Sequence, residues 1–476
     1  MNAIWLVALP LLGAFLLPLI SRQHEKIGYW VVPVLLMINL AFALILWGDG
    51  RQSFAMGGFS APMGITFYVD KLALIFAIMM ILGTLILWIG KKRGEVQEET
   101  LLLLIVAGGC GMALSGDLFN IYVFYEIVAV ASYGLSASRG NGLGYAASIR
   151  FLILGAIGSS LLLLGIALIY AATGTLNLAH LARLAPQMLH GSVGLVAFAL
   201  ILIGLGVKAE LFPVNTWVPE VYATAPARIS ALLGGIVSKL ALLVVLRLLV
   251  LIYADTPAPL LLLSLGALGV ITGELAAFRA TDLRQVLAYS SIAQLGLVAI
   301  AFSIPGSAGV IAGIALALHH ALVKPALFML TEAWGGQLNR LAGTAQVSML
   351  STLLFIGLAL SLIGIPPLPG FWAKFLLLKG ALGIEGVWYQ TAIAVVSIAT
   401  VIETAYFIRI ARLMFQQRTP QTVEAPNIRE LAPALSLVAL LFISVFTVGS
   451  IGKTLTAAAE ESADRAVYID TVEVQS

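Results

Sequence analysis

Long apolar runs, each ended by a short polar or glycine- and proline-rich stretch, set the pattern of this chain. A helix rises about 1.5 Å per residue, so a hydrocarbon core of about 30 Å needs about 20 apolar residues to cross it. Fourteen runs meet that length: approximately 3–20, 28–48, 68–90, 100–116, 119–137, 148–172, 192–217, 226–253, 258–278, 286–303, 307–333, 347–383, 388–412 and 432–451. The seventh run continues past Pro213, and the twelfth is broken by GIPPLPG. The pattern predicts an all-α polytopic membrane protein with about fourteen transmembrane helices, of which the seventh and twelfth are broken.

The runs form a single transmembrane domain. Three N-terminal helices occupy 1–99, the fourth to eighth helices 100–254 and the ninth to thirteenth 255–415, with a linker, the fourteenth helix and a tail over 416–476. Polar residues 49–67, the link 416–430 and the tail after Lys453 are short enough to be loops or frayed ends. MNAIWLVALPLLGAFLLPLI lacks a basic leader and a small-residue cleavage site before Ser21, so it reads as a retained first helix.

Composition agrees with this reading. Of 476 residues, 61% are hydrophobic and 10% charged, whereas soluble domains carry roughly 25% charged residues. Mean hydropathy is +1.04. A lone cysteine, Cys110, excludes an internal disulfide and a multi-cysteine metal or iron–sulfur site. No haem, flavin or glycine-rich nucleotide motif occurs, so no cofactor and no metal are expected on this chain.

The net charge of +3 matters less than where the cations lie. Alternate loops from the first onward hold Arg22, Lys26, Lys91, Lys92, Arg93, Arg139, Arg279, Arg284, Arg340, Arg412, Arg418 and Arg429, and the other set, with both termini, offers little beyond Arg51, Arg183, Lys453 and Arg465. The positive-inside bias puts the first set in the cytoplasm and both termini outside, in a cytoplasmic (inner) membrane.

Several ionisable residues fall within the runs. They are Glu126, Lys208 and Glu210, Glu274, Lys239, His319, His320 and Lys324, Lys374 and Glu403. Each lone charge at mid-bilayer costs about 2.5–3.5 kcal/mol on insertion scales, so such residues are functional candidates by default. The competing structural readings are a Glu126–Lys208 pair that only holds helices together, and lysines that snorkel to a surface. Pairing gains little once desolvation is counted, and Lys239 lies too deep for its stem to reach either surface comfortably. His320 and Lys324, four residues apart, share a helix face, which leaves His319 as a structural donor.

Lysine is the informative residue type. Burial can bring its proton affinity near neutrality, whereas arginine stays charged. A file of lysines joined by histidine and water can pass protons, and a carboxylate beside the first lysine can gate it. A helix break carrying an ion-handling residue in each of two halves is a transporter signature. Pro213 follows Lys208, and Pro366, Pro367 and Pro369 precede Lys374. An inverted five-helix repeat is suggested.

SGDLFNIYVFYEIVAVASYGL, GVKAELFPVNTWVPEVYATAPARISALLGGIVSK, TDLRQVLAYSSIAQLG, HHALVKPALFML and GIPPLPGFWAKFLLL together resemble the proton-pumping, antiporter-like membrane subunits of respiratory complex I, group 4 hydrogenases and Mrp cation/proton antiporters. The resemblance runs from about Asp70 to Arg412 and leans, through SGDLFNIYVFYE and TGTLNLAHLA, towards the Mrp D-type subunit. It implies that Glu126, Lys208, Lys239, His320, Lys324 and Lys374 form a hydrated proton-relay axis at the membrane midplane, with half-channels to each side. Glu210, Glu274 and Glu403 are accessory candidates. Asn215, Gln285 and Leu316 depart from the family pattern and bear on the cytoplasmic access route, not on the axis.

The leading expectation is therefore a proton/monovalent cation antiporter-like subunit of a multisubunit membrane complex, with Mrp-type Na+/H+ exchange ahead of redox-driven pumping in an NADH:quinone oxidoreductase or hydrogenase-type complex. Inorganic-carbon uptake is a third coupling. Partners are other membrane subunits and the lipid bilayer, with no nucleic acid. Protons are favoured as the ion here because the axis is mostly nitrogen; sodium would pass through a partner.

Overall fold

A computed structural model describes residues 2–22, 27–91, 95–417 and 426–475, the side chains only to Glu473. The loop cations Lys26, Lys92, Arg93 and Arg418 lie outside the described residues, as does much of the 416–430 link.

The chain begins with α1 (Trp5–Ser21) and α2 (Ile27–Asp49), a hairpin of β1 (Gln52–Ala55) and β2 (Thr66–Val69), and α3 (Lys71–Trp88). The first five-helix set contains α4 (Val96–Leu114), α5 (Leu118–Ser136), α6 (Gly142–Thr173), α7 (Leu178–Met188), α8 (Ser192–Lys208), α9 (Val218–Thr224), α10 (Ala227–Leu232) and α11 (Ser238–Leu251). A π turn over 233–237 joins α10 to α11 as one span. The second set contains α12 (Ala258–Arg279), α13 (Leu283–Ser303), α14 (Gly306–Trp334), α15 (Thr344–Val347), α16 (Met349–Ile363), α17 (Pro369–Leu382) and α18 (Val387–Met414). Then come α19 (Ile428–Phe446), α20 (Val448–Ala463) and α21 (Arg465–Gln475).

Among the described residues, eleven spans of 18 residues or more are apolar enough to cross a bilayer, and the shorter α1, α8 and α16 complete the expected fourteen. Short polar side chains start them. Asp70, Asp117, Asn141 and Asp282 accept the first free N–H groups of α3, α5, α6 and α13. The protein is a multi-pass membrane protein.

Two spans form the interior. Ala227–Leu251 is wholly buried, and Leu283–Ser303 nearly so, whereas α2 and α19 bury little of their surface and lie at the periphery. Around these interior spans, α14 packs on α10, α13, α16, α17, α19 and α20. Gly235 lets the eighth span press on α14, because a Cβ there would come within 2.2 Å of Pro325 Cγ.

Four segments depart from the sequence reading. The third helix starts at Lys71 because 66–69 pairs with 52–55 in antiparallel register, Gln52 opposite Val69, so part of the expected 49–67 loop is a hairpin. Helix α7 was expected as a connecting loop, but Leu178, Leu181, Ala182 and Ala185 give it a buried stripe at helical spacing. The tail after Lys453 is not frayed. In α20, Leu455, Ala458 and Ala459 are buried, and α21 buries Tyr468 and Val472, packing on β1 and α7. Pro213, finally, is not inside a helix, since α8 ends at Lys208 and the chain turns before α9.

Candidate functional site

The first pair forms where α8 stops. Tyr125 of α5 donates to the Gly204 carbonyl at 2.9 Å and so ties α5 to the end of α8. Lys208, 4% exposed, places its Nζ 4.2 Å from the Tyr133 ring centre and 4.1 Å from that of Phe151. That arrangement is a cation–π cradle. Its Nζ makes no hydrogen bond within the protein, and neither does the buried Oε1 of Glu126, the carboxylate that acts on it electrostatically. Unpaired polar atoms at depth are satisfied by water or by a partner that comes and goes. The fixed surroundings of Lys208 are therefore aromatic.

The helix break then redirects the chain. Glu210 takes φ +57°, the left-handed region, and is the non-glycine residue with positive φ among those described. The Leu211 N–H donates to the Gly206 carbonyl at 2.9 Å, and Trp217 Nε1 donates to Val207 O at 3.0 Å. Carbonyls freed by the break are thus satisfied inside the protein, as membrane depth requires. Trp217 also stacks on Phe151 with ring centres 3.7 Å apart. Stacked aromatic rings thus wall the Lys208 side of the break.

Beyond that wall lies the central cluster. Lys239 and Lys324 are each 0% exposed. Lys239 donates to the Gly234 carbonyl and, at 3.1 Å, to Ser238 Oγ, both beside the π turn. π turns recur at functional positions because they release backbone groups from the helical ladder. Lys324 donates to Leu287 O at 3.0 Å. His320 Nε2 and Ser291 Oγ are 3.2 Å apart, while His320 Nδ1 has no partner. The Glu210 carboxylate accepts from Tyr222 OH at 2.7 Å and has Lys239, Lys324 and Ser291 as its other polar neighbours.

The second break builds the far end. Helix α16 ends at Ile363, with Gly364 at φ +92°. The freed Ile363 carbonyl accepts from Lys374 Nζ at 3.2 Å. Lys374 also forms an ion pair with Glu403 Oε2 at 2.7 Å, and Gln294 Nε2 donates to Glu403 Oε1 at 2.8 Å. Glu274 lies beside this pair, within electrostatic reach of Glu403, Lys374 and Lys324. Glu274, Tyr406 and Ser290 lie together here, the Tyr406 hydroxyl within polar reach of both other side chains. His319 bonds Ser361 Oγ through Nε2 at 2.9 Å, joining α14 to α16 in a bracing contact.

The nine candidate side chains therefore fall into three groups: Glu126 with Lys208; Glu210, Lys239, His320 and Lys324; and Lys374, Glu403 and Glu274. Sequence reasoning missed the uncharged members. Tyr133, Tyr222, Ser291 and Gln294 carry no insertion cost large enough to stand out in an apolar run. It also missed the buried Asp70–Arg247 pair, although an arginine inside LALLVVLRLLVL is a visible signal.

Comparison with known proteins agrees with the geometry. The family described as NADH:quinone oxidoreductase/Mrp antiporter, TM matches residues 115–403, which hold all nine candidates. The D-type subunit of the Na(+)/H(+) antiporter of Alkalihalophilus pseudofirmus is 30% identical over 98% of this chain and 99% of its own. A chain of the archaeal membrane-bound sulfane sulfur reductase, a respiratory membrane complex, is 31% identical and superposes with a TM-score of 0.91 over 99% of both chains. A chain of the Mrp complex from Dietzia sp. DQ12-45-1b is 27% identical, also with a TM-score of 0.91 over 99% of both. Matched across more than half its length, and along nearly all of it to one antiporter subunit, this chain belongs to the NADH:quinone oxidoreductase/Mrp antiporter membrane-subunit family.

Proposed function

We propose that the chain is the proton-translocating subunit of a multisubunit membrane complex that performs Mrp-type Na+/H+ antiport. One observation carries this reading: three groups of buried titratable side chains, centred on Lys208, on Lys239 with Lys324, and on Lys374, lie along the interior of a chain of transmembrane helices. A proton entering at Lys208 is held by its pairing with Glu126. Loosening that pair lets the amine give the proton up, and neutral amines further along accept it in turn. The proposed relay residues are Glu126, Lys208, Lys239, His320, Lys324 and Lys374, with Glu210, Glu274 and Glu403 as accessory groups. The two five-helix sets, 100–254 and 255–415, are proposed as inverted repeats, each with a break in its fourth helix. Moving one charge against 100 mV takes about 2.3 kcal/mol.

The likeness to a chain of a respiratory sulfur-reducing complex favours a second reading, in which electron transfer in partner subunits drives the same relay. Proteoliposomes of the purified complex separate the two. An imposed sodium gradient is expected to drive proton uptake. Proton movement that ignores sodium and starts only with an electron donor would replace antiport by redox pumping.

The proposed location is the cytoplasmic membrane, with both termini outside. Cys110 is fully buried, so a cysteine introduced at the exposed Glu460 of α20 has no competing thiol. Glu460→Cys is expected to react with a membrane-impermeant maleimide added to intact cells. Labelling only after the cells are broken would invert the topology.

A further inference from the structure

We infer that Glu210 is the proton-exchanging carboxylate that joins the two halves of the relay, an inference that rests on the proton-transport reading above. Four observations converge on it. Its side chain is 0% exposed, at the break of the seventh span. Its backbone is left-handed at φ +57°, a conformation that glycine takes freely and that other residues hold only when the surroundings impose it. Its Oε1 is anchored by Tyr222 OH at 2.7 Å, and Ser291 lies within polar reach of the same carboxylate. And the cations that act on it electrostatically, neither in ion-pair contact with it, are Lys239 from the first set and Lys324 from the second.

The two charges beside the break serve different neighbours. Lys208 and Glu210 are two residues apart, yet one serves the Glu126 side and the other the central cluster. Had α8 continued as a regular helix, a residue at 210 would follow Lys208 by about 200° around the axis without leaving the helix. The turn instead takes Glu210 out of the helix. Ser291, which faces the same carboxylate, also bonds His320, so the cluster reaches α14 through a hydroxyl as well as through Lys324.

The exchange balances without any further reactant. Relayed through an intervening water that is returned unchanged, a proton leaves a charged Lys239, an N–H bond breaking there and an O–H bond forming on Glu210, which leaves a neutral amine and a neutral acid. That O–H bond then breaks and an N–H bond forms on a neutral Lys324, which restores the carboxylate. Oε2 is the oxygen that makes this exchange, because Oε1 is already committed to Tyr222. Glu210 is thus a shuttle between two amines, where two lysines alone would repel each other's protons.

The test compares Glu210→Gln and Glu210→Gly in the intact complex, reconstituted in proteoliposomes, with Lys208→Ala measured alongside. Glycine fits φ +57° without strain, so Glu210→Gly removes the carboxylate while keeping the turn. Both Glu210 variants are expected to assemble at close to parental yield, with Glu210→Gly melting only modestly below the parent because Tyr222 loses its acceptor while the turn is relieved of strain. Both are expected to lose proton translocation by about a hundredfold, the lower end of what a positioned acid–base group contributes. Transport within about twofold of the parent in either variant overturns the inference, and so does loss of assembly in both, which would make Glu210 a structural residue. If Lys208→Ala also transports at the parental rate, the relay reading itself fails. A dead Lys208→Ala beside an active Glu210→Gly removes Glu210 alone.

Discussion

Lys208→Ala is expected to abolish proton translocation while leaving assembly of the complex largely intact, and Lys208→Arg is expected to be equally inactive. The pair of substitutions decides what the lysine is for. Its Nζ sits between the rings of Tyr133 and Phe151 and makes no hydrogen bond within the protein, with Glu126 as its charge partner. An arginine preserves a cation for both rings and for the carboxylate. If the residue were only a structural cation, arginine would restore function. If it must release its proton, arginine cannot serve, because a guanidinium does not deprotonate in a protein. The expected loss is at least about a hundredfold in both variants. Glu126→Gln, which removes the charge but not the shape, should show a comparable loss. The measurement is initial proton uptake by proteoliposomes, normalised to complex content by gel. A Lys208→Arg complex that pumps at the parental rate would sink the relay role of Lys208.

Assembly should survive these changes for a physical reason. Glu126 is not held in an ion pair with Lys208, so removing the lysine breaks no direct contact that the fold depends on. The aromatic cradle closes over an alanine at the cost of one lysine stem. That differs sharply from the charge pairs elsewhere in the protein.

How legible the protein was depends on the physical scale of each feature. Membrane spans are legible because the bilayer imposes a length and forbids unpaired backbone polar groups, so fourteen apolar runs became fourteen spans. The two breaks were legible because proline removes a helical hydrogen bond. The charged candidates were legible because each costs several kcal/mol to insert. Features that depend on neighbours were not. Residues 448–475 carry Lys453, Glu460, Glu461, Asp464 and Arg465, a polar pattern that reads as a tail; the helices exist because α3, α14, β1 and α7 offer surfaces to cover. The hairpin reads as part of a polar loop because each strand has four residues and is stabilised by pairing. Direction was also illegible. Spacing puts Lys208 and Glu210 on opposite faces of a helix but does not reveal that the chain leaves the helix at Glu210 through a left-handed residue.

The Asp70–Arg247 pair should show the largest effect on stability, with Arg247→Leu destabilising the protein by about 3–5 kcal/mol. Arg247 Nη2 lies 2.5 Å from Asp70 Oδ1, with Asp70 1% and Arg247 8% exposed. The same Oδ1 caps α3 by accepting the Ala73 N–H at 2.8 Å, and Oδ2 has no partner. The guanidinium lies 5.3 Å from the Tyr68 ring centre and 5.7 Å from that of Tyr468, and these two rings are 4.1 Å apart. Strand β2, helix α11 and the tail helix α21 therefore meet at one cation. Without it, Asp70 is a carboxylate sealed in a dry site with a single backbone donor. The cost comes from that stranded charge, not from the strength of the pair, since a buried pair replaced as a unit by fitting neutral groups is often nearly neutral. A double variant tests this reasoning. Adding Asp70→Ser to Arg247→Leu removes the stranded charge yet keeps a hydroxyl that can cap α3. The single variant should melt well below the parent in detergent, and the double variant should recover most of the loss. Equal melting of Arg247→Leu and the parent would mean that water already reaches Asp70, and that the pair holds neither α21 nor the hairpin in place.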